Sequence, residues 1–181
     1  MKQKRFWKNI ARWSIYFVVA SFFGHWLEIV VQMVIKLFGA EGTSYGIGAQ
    51  PFEPYPVYGL AVFGMVALWQ VVPEKLKKNV LLAFIFLTGI CSIAEYLVGW
   101  ASAWWHGGLN PYWNYADKPM NLHGHICLQN AVLFGIAATA FMLLVFPRTE
   151  KLLDKLPKKA LYATAIVLWV VFWICHLLFG A

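Results

Sequence analysis

Two carboxylates lie in stretches of sequence that offer them almost nothing polar. Glu28 sits in GHWLEIVV, and Glu95 in SIAEYLVGW. A charge at the centre of a bilayer costs at least about 2.5–3.5 kcal/mol even on the mildest scales, so an ionisable group kept in such a run is a candidate for handling a solute or a proton. His25 precedes Glu28 by three residues and shares its helical face. The alternative role for these groups is to hydrogen-bond neighbouring helices and hold a bundle together. His123 and His125, in NLHGHICLQN, add two more imidazoles. With His25 and the glutamates they have the donor types of a divalent metal site. An HxH spacing on a helix points its two rings to different faces, however, so neither a metal nor a catalytic set is assigned and no cofactor is read from the chain.

The segment from Trp104 to Ile126, WWHGGLNPYWNYADKPMNLHGHI, joins five aromatic side chains to amides, glycines and a carboxylate. Trp and Tyr gather at membrane interfaces, but an anchor does not need Asn114, Asp117 and Asn121 beside Trp113 and Tyr115. Irregular backbone at membrane depth must line protein or water, which suggests a partly inserted segment capping a cavity. The earlier stretch GAEGTSYGIGAQPFEPYPVYG, ending at Tyr58 and Gly59, has similar chemistry. Two such segments facing each other would form a vestibule, with the glutamates, histidines, tyrosines and amides named above as its solute-binding groups.

Composition sets the frame for these residues. Of 181 residues 61% are hydrophobic and 13% charged, against roughly 45–50% and about 25% in soluble domains. That excludes an ordinary soluble enzyme, a disordered tail and a secreted disulfide scaffold. Fifteen Lys and Arg against eight Asp and Glu give a net charge of +7, but the cations cluster between apolar runs, which argues against nucleic acid and for a lipid bilayer. Cys91, Cys127 and Cys175 form no CxxC pair and read as small apolar residues.

Five runs approach or exceed the length of about 20 residues that spans a membrane: Trp13 to Phe38, Tyr55 to Val72, Asn79 to Trp104, Cys127 to Phe146 and Leu161 to Phe179. The expectation is therefore an all-α, polytopic protein with five transmembrane helices in a single integral membrane domain, residues 1–181. Lys and Arg concentrate in residues 1–12, 73–78 and 147–159, whereas the other two connections hold only Lys118. The positive-inside rule then puts the N-terminus in the cytoplasm and the C-terminus outside, in a multi-pass plasma (cell inner) membrane protein. The first run is too long and too polar for a cleaved signal peptide. Runs one and three each carry a glutamate past their midpoint and are followed by an aromatic external segment and a returning helix, which suggests two parallel hairpins plus one helix.

Four stretches then appear in order: GHWLE (24–28), YPVYG (55–59), EYLVGW (95–100) and YWNYADKPMNLHGHICL (112–128). Together they resemble the ABC-transporter type IV family, the CmpB-like permeases, over roughly Gly24 to Leu128. Glu28, Pro56, Tyr58, Gly59, Glu95, Gly99, Trp113, Tyr115, Pro119, Asn121 and Gly124 match its pattern. Asn114 replaces an aspartate, Ala116 a serine, Ala103 a carboxylate and His125 a basic position, and the family's basic segment after the first helix is absent. The resemblance implies a permease for a small solute or ion. Five helices are few to enclose a path, which suggests a homodimer or a partner subunit, and with no GxxxxGK[ST] loop any ATPase must be a separate subunit. Two other readings fit the residues: a membrane-embedded enzyme acting on a lipid or lipid-linked substrate, and a non-catalytic assembly subunit.

Overall fold

The computed structural model describes residues 2–37 and 50–180. It is almost wholly helical: α1 (Lys2–Leu37), α2 (Pro56–Val71), α3 (Glu74–Lys78), α4 (Val80–Trp105), α5 (Leu128–Ala140), α6 (Phe146–Lys155) and α7 (Lys158–Phe179). A small antiparallel hairpin, β1 (Asn121–Leu122) and β2 (Ile126–Cys127), precedes α5. The stretches Trp7–Val31, Val80–Trp105, Leu128–Lys155 and Lys158–Phe179 are long and apolar enough to cross a membrane. α2 forms where the second run was expected but has 16 residues, about 24 Å at 1.5 Å per residue, shorter than a hydrocarbon core of about 30 Å. Among the described residues, four helices therefore meet the length and composition of a span.

Local chemistry sets several of the boundaries. Asn79 caps α4, its side chain accepting a hydrogen bond from the Leu82 amide at 3.1 Å. The stretch Pro147 to Lys159, expected as a hydrophilic connection, is instead helical as far as Lys155. Pro147 has no N–H to donate to the turn before it, and a π-helical turn over Phe141–Val145 lies immediately upstream. A widened turn of this kind absorbs the missing bond without ending the helix.

The described residues fall into two compact units, Met1–Gly64 with Glu150–Ala181, and Met65–Thr149. In the first, α1 packs on α7 around Ala11, Ile15, Leu161 and Ala165. One end of α1 is tied by charge: Arg12 pairs with Glu150 at 3.1 Å and also with Asp154, Lys8 reaches Asp154 at 3.0 Å, and the Tyr16 hydroxyl donates to Glu150 at 2.9 Å. The Arg12 side chain is only 11% exposed, so Arg12→Ala leaves the Glu150 carboxylate poorly compensated. Its expected cost is about 1–2 kcal/mol, read as a lower thermal midpoint in detergent, with Arg12→Lys recovering part of it. In the second unit, α4 packs on α5, and the hairpin lies against both.

Candidate functional site

In the first unit, glycine decides where Tyr58 goes. A Cβ at Gly59 would fall 2.6 Å from the Phe17 carbonyl oxygen and 2.5 Å from Ser21 Oγ, and a Cβ at Gly24 would overlap the Tyr58 ring. α2 can therefore approach α1 only because both positions lack a side chain. The approach lays Tyr58 across Gly24 and delivers its hydroxyl, as donor, to Glu28 one turn further along α1. The Tyr55 amide donates to the Ser21 carbonyl at 3.1 Å and fixes the entry to α2.

His25 is 1% exposed and stacks on Tyr55 with ring centroids 4.3 Å apart. Its Nε2 lies 3.1 Å from the Gln50 carbonyl oxygen. A carbonyl only accepts, so Nε2 carries the proton. Nδ1 is buried with no hydrogen-bond partner among the described residues.

The second unit repeats the arrangement with a different backbone. Glu95 and Gly99 lie one turn apart on α4. A Cβ at Gly99 would come 3.1 Å from the Cβ of His125, so glycine lets the hairpin segment lie close to the helix. The same segment brings Tyr115, whose hydroxyl donates to Glu95 Oε1 at 3.2 Å. Glu95 Oε2 is buried and unpartnered among the described residues. Burial first, and the neighbouring carboxylate second, push the Tyr115 phenol above its ordinary range, which keeps it a hydrogen-bond donor.

The loop that positions Tyr115 is held by its own amides. Asn114 Oδ1 accepts from the Ala116 amide at 3.0 Å, an Asx turn. Asn121 Nδ2 donates to the carbonyls of Ala116 and Lys118, and Asn121 Oδ1 accepts from the Gly124 amide. The Tyr115 amide donates to the Gly124 carbonyl at 2.8 Å, and Trp113 Nε1 to the His125 carbonyl at 2.9 Å. His123 and His125 flank Gly124 in the hairpin turn, not on a helix as the sequence reading assumed. His123 and Gly124 have φ of +54° and +70°, and the His125 amide bonds the Leu122 carbonyl at 3.1 Å. Positive φ at both central positions is the pattern of a type I′ turn. Such a turn needs two residues tolerant of left-handed backbone, and a two-residue strand on each side leaves too little alternation to announce it.

Of the expected site residues, the structure pairs Tyr58 with Glu28 in one unit and, in the other, Tyr115 with Glu95 and Trp113 with the His125 carbonyl, while His25 meets Tyr55 and Gln50 instead. Asn114 and Asn121 are scaffold contacts of the loop. Asp117 is exposed, with Lys118 3.8 Å away. His123 shares a 2.8 Å hydrogen bond with the Tyr96 hydroxyl. Tyr96, which also sets its ring against His125 at 5.6 Å, was missed by sequence reasoning although it directly follows Glu95. Asn130, a hydrogen-bond partner of Tyr115, was missed because nothing local marks it. The expected vestibule had its first wall in residues 39–59, of which 39–49 lie outside the described residues. A cavity of about 250 Å³ opens between α4 and the hairpin, lined by Ser92, Ile93, Tyr96, Leu97, Leu122 and Ile126; it is mostly apolar and does not include Glu95.

Long apolar helices, with carboxylates held inside two of them by tyrosines from the following segments, define a multi-pass α-helical membrane protein. The profile of the family described as Putative ABC-transporter type IV matches residues 15–178, and the chain belongs to that family. No curated protein and no solved structure matches it.

Proposed function

We propose that this chain is a permease component that binds a small solute or ion at its helix-embedded carboxylates, Glu28 and Glu95. The observation that carries this reading is Glu95 Oε2, a buried acceptor without a partner among the described residues, on a helix of membrane-spanning length. Leaving a polar atom unpaired in an apolar setting costs about 1–3 kcal/mol. Such a cost is sustained where the atom has a ligand to meet. In this reading α2 is a fifth crossing, and the N-terminus with its Lys8 and Arg12 ion pairs faces the cytoplasm of a plasma-membrane protein. The chain works as a homodimer or with a separate ATPase, for which the basic connections at 73–78 and 147–159 offer a docking face.

The test is retention of a mixed radiolabelled panel of small cations, anions and neutral solutes by the reconstituted chain in equilibrium dialysis. At least one member is expected to be retained, and retention falls sharply in Glu95→Gln and in Glu28→Gln. Unchanged retention in both variants would reject the reading.

A further inference from the structure

Most hydrogen-bonding groups around the two carboxylates are already committed. In the first unit the Tyr58 hydroxyl is spent on Glu28, Trp26 Nε1 on the Pro51 carbonyl and His25 Nε2 on the Gln50 carbonyl. In the second unit the Tyr115 hydroxyl donates to Glu95 and Trp113 Nε1 to the His125 carbonyl. Among the described residues His25 Nδ1 and Glu95 Oε2 remain as buried acceptors without a hydrogen-bond partner; Asn110 Nδ2, a buried donor also without one, belongs to the loop held at Ser102, two turns beyond Glu95 on α4.

The charge balance points the same way. No Lys or Arg occurs between Arg12 and Lys36, between Lys78 and Lys118, or between Lys118 and Arg148. On α1 Glu28 lies 16 residues beyond Arg12 and 8 before Lys36, about 24 Å and about 12 Å along the helix, and α4, which carries Glu95, has no Lys or Arg. Neither carboxylate has a fixed counter-ion on its own helix within reach. An anionic solute at Glu95 would meet like charge. A hard metal ion needs several oxygen ligands, and no group of three or more His, Cys, Asp or Glu side chains is placed to hold one among the described residues. A nitrogen cation needs acceptors for its N–H groups and tolerates aromatic faces. Tyr115 meets Glu95 in space.

We propose that the solute is a small nitrogen cation of the ammonium, alkylammonium or guanidinium class, donating an N–H to Glu95 Oε2. This rests on the reading of Glu95 as a solute contact and adds the chemical class of the solute. The complementarity is that of a charge-assisted hydrogen bond to a carboxylate in a site poor in water.

The experiment measures equilibrium binding of methylammonium, guanidinium, rubidium, acetate and sulfate to the full chain in nanodiscs, which needs no energy source. Methylammonium and guanidinium are expected to bind at least about tenfold more tightly than acetate, sulfate or rubidium. Glu95→Gln should weaken them about ten- to hundredfold with its thermal midpoint unchanged. Preferred binding of acetate or sulfate that is lost in Glu95→Gln overturns the cation class but leaves the Glu95 contact standing. Rubidium binding as tight as methylammonium overturns the N–H donation. Methylammonium binding that both glutamine variants retain overturns the inference and the underlying reading together, and absence of binding by every probe overturns the inference.

Discussion

Replacing Glu95 by leucine is expected to abolish solute binding while leaving the protein as stable as before or more so. A polar residue in an apolar helix is retained against its own transfer cost, about 3 kcal/mol on insertion scales for a charged group, whereas leucine at the same depth is favourable. In the folded chain Glu95 recovers part of that cost through the Tyr115 hydroxyl alone, and Oε2 recovers nothing from the described residues. Glu95→Leu takes one partner from Tyr115, which keeps Asn130. The net change in stability is expected within about 1 kcal/mol of zero or on the stabilising side, while methylammonium binding falls more than about tenfold. Thermal denaturation and dialysis on the same reconstituted sample check both halves. A drop of several kcal/mol would instead make Glu95 a strut between helices, as in the assembly-subunit reading.

Gly59→Leu should produce the largest loss of stability. At that position the backbone of α1 occupies the space a side chain needs, with the Phe17 carbonyl oxygen 2.6 Å from where Cβ would be. A backbone oxygen cannot swing aside as a side-chain end can, so α2 has to move off α1. Overpacking of this kind costs about 1–3 kcal/mol and occasionally more, and the movement withdraws Tyr58 from Glu28. Gly64→Leu on the same helix is the control, because nothing lies within 4 Å of its would-be Cβ; it should be neutral. Equal losses at both positions would indicate a helix-propensity effect unrelated to the close approach.

The four motif stretches gain a physical explanation in the fold. GHWLE and YPVYG meet because Gly24 and Gly59 permit two backbones to touch, and Glu28 and Tyr58 follow from that contact. EYLVGW and the 112–128 stretch meet through Gly99 and His125, and Glu95 and Tyr115 follow in turn. The helices themselves were legible, since apolar runs of 20 or more residues have few other solutions. The glutamates were legible as anomalies against those runs. Tyr58 and Tyr115 were legible as site candidates, but their pairing with the glutamates was not, because Tyr58 lies 30 residues from Glu28 and Tyr115 lies 20 from Glu95, and no local pattern records a pairing at such separation. The helical stretch after Pro147 was hidden for a different reason: proline ordinarily marks a helix end, and the π-helical turn that accommodates it leaves no compositional trace. Asn114 and Asn121 looked like ligand contacts because they are polar among aromatics, yet loop backbone consumes their hydrogen bonds.

The most direct measurement is the infrared difference spectrum of the reconstituted chain with and without methylammonium. Wild-type protein should show a change in its carboxyl and carboxylate bands that disappears in Glu95→Gln. Methylammonium binding with a silent carboxyl region, or with the same bands shifting in Glu95→Gln, would contradict the assignment of Glu95 as the group that holds the solute.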